Sequence, residues 1–221
     1  MDRFYCPELA AGELALPEAE GRHAWQVLRK STGDRVELFD GAGRRAAAEL
    51  VSVHKKAVVA RAEEPTQTPA APPLTVAAAV PKADRFKWMV EKLTELGVTT
   101  LVPLKTERTV VDPGAAKLEK MAATVVAACK QSGRDRLMAI EPVTDLASAL
   151  ARPAGTRLIA DVGASGRGGG VDTLLLVGPE GGWTDAERAA AAEAGFEPVT
   201  LGPHVLRTET AAVAGAAVLA G

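Results

Sequence analysis

Residues 174–187 read LLLVGPEGGWTDAE, an apolar run followed by a glycine-rich segment and then by helix-forming residues. A continuous apolar run of this length is typical of a strand that is buried on both faces. Thr184 or Asp185 is expected to cap the helix that follows, with Glu187 in its first turn. In parallel sheets, ligands bind in loops beyond the carboxyl ends of the strands. The glycines of 178–182 therefore indicate a ligand site, although a tight turn alone also explains them.

A second unusual loop occupies residues 201–211 and reads LGPHVLRTETA. Thr208 or Thr210 can cap the helix that follows, which is a structural role. Arg207 and Glu209 are charged residues beside an apolar segment, a pattern that favours a functional role. The first loop lacks the Lys-Ser/Thr ending of a phosphate-binding P-loop and the spacing of a dinucleotide fingerprint, so the sequence disfavours a nucleoside triphosphate or NAD.

Strand and helix patterns alternate around these two loops. This alternation predicts a parallel sheet with helices on both faces, and hence an α/β fold. Predicted strands cover residues 74–80, 99–104, 158–162, 174–177 and 199–201, and predicted helices cover 85–96, 115–131, 185–194 and 211–220.

The first 70 residues follow a different pattern, in which short strands alternate with turn signals. Strands are predicted over 35–39, 46–53 and 57–62, with Gly33-Asp34 and Asp40-Gly41 as turns and one short helix over 23–30. This pattern predicts a small β-barrel. The segment EEPTQTPAAPP at 63–73 is predicted to be a linker. The expected domains are therefore 1–70 and 71–221.

Composition narrows the class of protein. The chain has 221 residues, of which 47% are hydrophobic and 24% charged, as expected for a water-soluble globular protein. The N-terminus predicts no signal peptide, and the apolar C-terminal run is too short to span a bilayer. Cys6 and Cys129 are isolated and predicted to be buried thiols, which suits a reducing cytoplasmic compartment. The three histidines, His23, His54 and His204, have no partners at ligand spacing, so no metal site is expected.

The distribution of charge is more informative than the formal net charge of −2. Basic residues outnumber acidic ones between 74 and 140, and the reverse holds from 141 onward. The basic doublets Arg29-Lys30, Arg44-Arg45 and Lys55-Lys56 are able to contact phosphates, although solvated surface pairs are the favoured interpretation.

The pairing of GPEGGWTDAE with LGPHVLRTETA resembles the RsmE family of ribosomal RNA uridine N3-methyltransferases, in the SPOUT superfamily of knotted methyltransferases. Further matches follow in the same order along both predicted domains. They are RFYC at 3–6, His23 to Arg29, Phe39-Asp40-Gly41, Lys82, Asp84-Arg85, EKLTELGV at 91–98, Pro103, Thr106-Glu107-Arg108, Gln131-Ser132 and Arg134.

The resemblance implies an N-terminal PUA-like RNA-binding barrel and a catalytic domain with a deep trefoil knot, which periodicity alone would not reveal. It also implies a homodimer and S-adenosylmethionine (SAM) bound in the knot loops, with a third loop near Ala160 to Gly163. The cofactor residues implied by position are Leu176, Val177, Gly178, Pro179, Gly181, Gly182, Leu201, Gly202, Val205, Leu206 and Arg207.

The implied reaction is methylation of N3 of a specific uridine in 16S ribosomal RNA, on the free RNA or on the assembled small subunit. Uracil N3 carries a proton, so a base and a stabiliser of the resulting anion are required. Arg207 is the expected stabiliser, and Glu209 or Glu180 is the expected proton acceptor; Glu209 could instead serve only in capping. Expected phosphate contacts are Arg3, Arg22, Arg29, Lys30, Lys82, Arg85, Arg108 and Arg134.

Two alternatives remain open at this stage. Related knotted enzymes methylate ribose 2′-hydroxyls or guanine N1, and the glycine loops do not distinguish these from uracil N3. The chain could also be a ribosome-assembly RNA-binding protein that has lost catalysis, which the intact loop motifs disfavour.

Overall fold

A computed structural model describes residues 1–82, 84–164, 166 and 170–220. The chain forms two compact units, one made of 1–71 with 129–137 and the other of 72–128 with 138–221. The elements of the first unit are β1 (Arg3–Tyr5), β2 (Gly12–Ala15), α1 (Glu18–Arg22), a π-helical turn (His23–Val27), β3 (Arg35–Phe39), β4 (Arg44–Val53), β5 (Val58–Ala62) and β6 (Thr66–Gln67).

The strands of the first unit form an open sheet in the order β1-β3-β4-β5-β2, with β6 paired to β4. Within the described residues no ladder joins β1 to β2, which have only three and four residues, so the predicted closed barrel is corrected to an open six-stranded sheet. The helix begins at Glu18, directly after Pro17, and not at His23. The predicted linker also contributes a strand, β6.

The core of the first unit follows the alternation of its strands. Side chains alternate between the two faces of a strand, and the fully buried face of these strands carries Phe4, Val36, Leu38 and Leu50. Both cysteines are buried free thiols. Burial raises the pKa of the Cys129 thiol to about 11, which makes it unreactive at neutral pH.

The segment 129–137 belongs to the first unit through a buried ionic cluster. Arg3 is almost fully buried, and its guanidinium donates to Glu37 at 2.6 Å, to the Cys129 carbonyl at 2.8 Å and to Asp135. Thr68 donates to the other oxygen of Asp135 at 2.7 Å. The boundary predicted near residue 70 does not anticipate this return of the chain.

The second unit is α/β, as predicted. Its sheet has the order β10-β8-β7-β12-β11-β13, with β9 on β8 and every pair parallel. The elements are β7 (Leu74–Ala79), α2 (Asp84–Glu95), β8 (Thr100–Lys105), α3 (Ala115–Ser132, of which 129–132 belong to the first unit), β9 (Ala139–Ile140), β10 (Thr144–Asp145), α4 (Leu146–Leu150), β11 (Thr156–Ala160), β12 (Thr173–Val177), α5 (Asp185–Glu193), β13 (Glu197–Val199) and α6 (Thr208–Leu219).

Local sequence explains how the central strand and its neighbours are placed. All five residues of β12 are buried, in keeping with its apolar run. α6 packs against α2, β7 and β12, and it approaches the sheet closely at Gly215, where a Cβ atom would lie 2.4 Å from Leu175 Cδ2. In the described part of the chain, none of the helices combines the length and apolarity that crossing a bilayer requires.

Candidate functional site

A cleft lies beyond the carboxyl ends of β11, β12 and β13. The parallel strands place three loops at one edge of the sheet, and these loops form its walls. The lining residues are Ala160, Asp161 and Val162 from the first loop; Val177, Gly178, Pro179, Glu180 and Trp183 from the second; and Thr200, Leu201, Gly202, His204, Val205, Leu206, Thr208 and Ala211 from the third loop and α6.

Most of the cofactor residues expected from the sequence meet in this cleft. Those that line it are Val177, Gly178, Pro179, Leu201, Gly202, Val205 and Leu206. Leu176 is fully buried in the core beneath, and Gly181, Gly182 and Arg207 are outside the lining. Ala160 to Val162 line the cleft as the third expected loop, whereas Gly163 borders a neighbouring apolar cleft.

Trp183, which the sequence reasoning did not single out, supports the floor of the cleft. Its side chain is buried, and its indole Nε1 donates to the Ala160 carbonyl at 2.9 Å. A Cβ atom at Gly178 would lie 3.0 Å from the indole, so the ring packs directly on that backbone. The available signal was a large aromatic residue directly after two glycines at the end of a buried strand.

Thr208 connects the second and third loops. Its buried hydroxyl donates to the Gly178 carbonyl at 3.1 Å. Neither Thr208 nor Thr210 is the N-cap of α6, because the helix already begins at Thr208 and Arg207 occupies the cap position without a side-chain cap bond. That expectation was wrong for α6. For α5 the expectation is confirmed, since Thr184 and Glu187 form a reciprocal capping box.

An ion pair fastens the first loop to α5. Arg188 donates to Asp161 at 2.8 Å and 3.3 Å and to the Trp183 carbonyl at 2.8 Å. Hydrogen bonding to Asp161 raises the pKa of Arg188. Asp161 in turn accepts the Val162 amide at 3.0 Å, so its carboxylate orders the turn that lines the cleft.

The three predicted catalytic residues occupy different environments. Glu180 is exposed and lines the cleft. Arg207 is exposed and lies between two lining residues, Leu206 and Thr208. Glu209 is buried outside the lining: its Oε1 is 3.6 Å from Arg85 Nε, and its Oε2 has no hydrogen-bond partner within the part of the chain that the structure describes.

The chemistry of the lining favours an amphipathic ligand that carries positive charge. Valine and leucine side chains supply apolar walls, and Asp161 and Glu180 supply carboxylates. The described lining residues include no lysine or arginine, which is unlike a site for a polyphosphate. The described residues also hold no cluster of His, Cys, Asp and Glu that suits a metal ion.

Comparisons with known proteins agree with this architecture. A family model described as an RNA methyltransferase domain matches residues 68–220, and one described as an RNA methyltransferase PUA domain matches 16–63. The ribosomal RNA small subunit methyltransferase E of Mycobacterium bovis is 33% identical over 95% of this chain and 87% of its own length. The chain belongs to the RsmE family.

Two further RsmE relatives match more than nine tenths of this chain. That of Synechocystis is 32% identical over 92% of this chain and 71% of its own length. The Neisseria gonorrhoeae protein, whose crystal structure is bound to S-adenosyl methionine, is 36% identical in sequence to this chain. The two structures superpose with a TM-score of 0.89 over 98% of this chain and 95% of that one.

The residues of this RsmE chain that were expected to contact RNA differ in burial and in whether their side chains are already paired. Arg3 is the most buried of them and all its donor nitrogens are used inside the first unit, which is a structural position. Lys30 is paired with Asp2 and Arg134 is partly buried. The exposed members are Arg22, Arg29, Lys82, Arg85 and Arg108, of which Arg22 pairs with Glu18, Arg85 with Glu209, and Arg108 with the Gly181 carbonyl.

Proposed function

We propose that this protein transfers the methyl group of SAM to N3 of a uridine in 16S ribosomal RNA of the small subunit. The observation that carries the proposal is the three-loop cleft at the edge of the parallel sheet, in a chain of the RsmE family. Glu180 lines this cleft and Arg207 lies between two of its lining residues, and these are the groups proposed for the reaction.

The lining residues suit SAM. Val177, Leu201 and Leu206 can enclose the adenine, and the backbone of the loops can bond to its edge. The exposed Glu180 complements the positive charge of SAM, because the Asp161 carboxylate is already paired with Arg188. When bound, SAM supplies an electrophilic methyl group on a positively charged sulfur.

The chain's own residues prepare the uracil. Its N3 must lose a proton before the N–C bond forms, and the negative charge then spreads over the two carbonyl oxygens of the base. Glu180 is the proposed proton acceptor, because it lines the cleft and is exposed, whereas Glu209 lies outside the lining. Arg207 is the proposed stabiliser of the anion, because its side chain is exposed at the rim.

RNA binding is proposed to involve both units. The target base must leave its stack to reach the cleft, and phosphate contacts must position the strand. Arg22, Arg29 and Lys82 are suitable donors because their side chains are exposed. Since the substrate is ribosomal, the proposed place of action is the cytoplasm, where small subunits are assembled.

The knot and the homodimer are also part of this proposal. After edge strand β13 the chain returns to the centre of the sheet, where α6 packs on β7 and β12, a path that suits threading beneath the first loop. Val205 and Val218 are exposed, and Val218 and Leu219 line an apolar cleft that a second copy would cover. Sedimentation equilibrium should therefore give twice the chain mass.

The test is methyl transfer from labelled SAM to purified small ribosomal subunits that lack the modification, followed by identification of the modified nucleoside. We expect N3-methyluridine at one position. A methylated ribose or guanine would show that the target is not uracil N3. If the chain binds no SAM at all, the remaining interpretation is an RNA-binding protein without catalytic activity.

A further inference from the structure

The turn that follows β8 is fastened to the glycine loop at two points. Arg108 Nη1 donates to the Gly181 carbonyl at 2.7 Å, and the Glu107 amide donates to Glu187 Oε1 at 2.9 Å. Glu187 belongs to α5 and also accepts the Thr184 amide at 2.8 Å through its other oxygen. One carboxylate therefore joins the 106–109 turn to the end of the glycine loop.

The turn itself is a rigid support. The Thr109 hydroxyl accepts the Thr106 amide at 2.9 Å and lies 3.0 Å from the Thr106 hydroxyl. The Thr109 amide donates back to the Thr106 carbonyl at 3.2 Å. Because the strands are parallel and β7 alone separates β8 from β12, this turn and the glycine loop lie at the same edge of the sheet.

The stem of Arg108 lies directly against Gly181. A Cβ atom at Gly181 would be 3.3 Å from Arg108 Cβ and Cδ, so the absence of a side chain there allows the arginine to cover the backbone. Glu187 is buried, and both of its carboxylate oxygens accept hydrogen bonds. Although Arg108 is exposed, its stem and one of its guanidinium nitrogens contact the backbone of Gly181.

We infer that Arg108 is a positioning residue for the SAM loop and not a phosphate contact. It acts through Gly181 on the neighbouring Pro179 and Glu180, which line the cleft. This inference rests on the proposed function, because it assigns these contacts a role in holding the loop in its SAM-binding form. Fixing a binding loop beforehand lowers the ordering cost of binding.

The experiment compares Arg108→Ala and Arg108→Met with wild type by calorimetric titration of SAM. Arg152→Ala is the control for loss of a hydrogen-bonded arginine, since Arg152 donates to Glu141 at 2.8 Å and 2.7 Å and is outside the cleft lining. We expect the SAM dissociation constant to rise about tenfold in both Arg108 variants, as for a lost charge-assisted hydrogen bond, and to stay unchanged in Arg152→Ala. Arg108→Met keeps the apolar stem, so a loss of SAM affinity in this variant would measure the contribution of the guanidinium alone.

A second readout separates positioning from phosphate contact. The salt dependence of RNA binding should keep the wild-type slope in Arg108→Ala, whereas loss of a phosphate contact lowers the slope by about one unit. Wild-type SAM affinity in Arg108→Ala, or a lowered slope, would overturn the inference and leave the proposed function intact. A wild-type chain that binds no SAM would instead overturn the proposed function, and this inference with it.

Discussion

The loops after β12 and β13 form facing walls of one cleft, yet they are held in different ways. The loop after β12, 178–184, is held by two hydrogen bonds, from Arg108 to the Gly181 carbonyl and from Thr208 to the Gly178 carbonyl. The capping box of α5 holds its end. The loop after β13, 200–207, has one internal bond among the described residues, from the Thr200 hydroxyl to the Gly202 carbonyl, and its Thr200 amide donates to the Gly166 carbonyl at 3.0 Å. It exposes Pro203, His204, Val205 and Arg207. For the proposed reaction this difference predicts a division of roles, in which the fixed backbone of 178–184 and the apolar side chains Leu201 and Leu206 hold the methyl donor, and the exposed Arg207 meets the target base.

The largest effect is expected for Arg207→Ala. Loss of the group that stabilises the uracil anion should lower the single-turnover methylation rate on the order of 100-fold. SAM affinity should change less than about twofold, because the Arg207 side chain is outside the lining. If Arg207→Ala lowers the methylation rate and the SAM affinity by the same factor, the two loops do not have separate roles. Arg152→Ala serves again as the control for loss of a surface arginine.

Gly178→Ala tests the fixed loop directly. The added Cβ would meet an indole that is pinned by its bond to Ala160, so we expect destabilisation of about 1–3 kcal/mol, as for overpacked cores. Thermal unfolding and SAM titration should both register the loss. Gly202→Ala is the counterpart in the loop after β13, where a Cβ meets open space and the melting temperature should stay within a degree or so of wild type. A similar shift in both variants would contradict the comparison.

Thr208→Val removes the hydroxyl that joins the two loops while keeping the shape of the side chain. A lost hydrogen bond of this kind costs about 1 kcal/mol, so SAM binding should weaken about fivefold. Thr210→Val on the same helix is the control, because Thr210 is exposed. If the two valine variants bind SAM equally well, the loops are not coupled through this bond.

The smallest effect is expected for His204→Ala. His204 lines the cleft but is exposed, and typical surface substitutions change free energies by less than about 0.5 kcal/mol, or roughly twofold in rate. Methylation rates measured from pH 5.5 to 9 provide the check. A large drop in rate across this range would identify His204 as the proton acceptor in place of Glu180.

Local patterns in the sequence were sufficient for much of the second unit. The apolar run of β12, the glycines behind it and the Thr184–Glu187 capping box are signals within a few residues of each other, and each has the expected structure. The cap of α6 was assigned wrongly because the helix begins one residue earlier than the first capping threonine would allow. Trp183 was missed because its role depends on Ala160, in another loop.

Contacts between distant segments could not be predicted in this way. Arg3 was expected to face RNA because basic residues are usually exposed, but its partner Asp135 is 132 residues away. The same limit applies to the open sheet of the first unit, whose short end strands β1 and β2 carry too few residues for a clear alternation.

The buried cluster around Arg3 constrains how this protein can exchange parts during evolution. Transfer of codons 1–71 alone by recombination would leave the guanidinium inside the sheet without Asp135 or the Cys129 carbonyl. Removal of one partner of a buried ion pair costs about 3–5 kcal/mol, a large share of the stability of a small unit. The first unit can therefore be inherited as a folded module only together with residues 129–137, so that exchange of these two pieces alone needs three crossovers where the linear sequence suggests one.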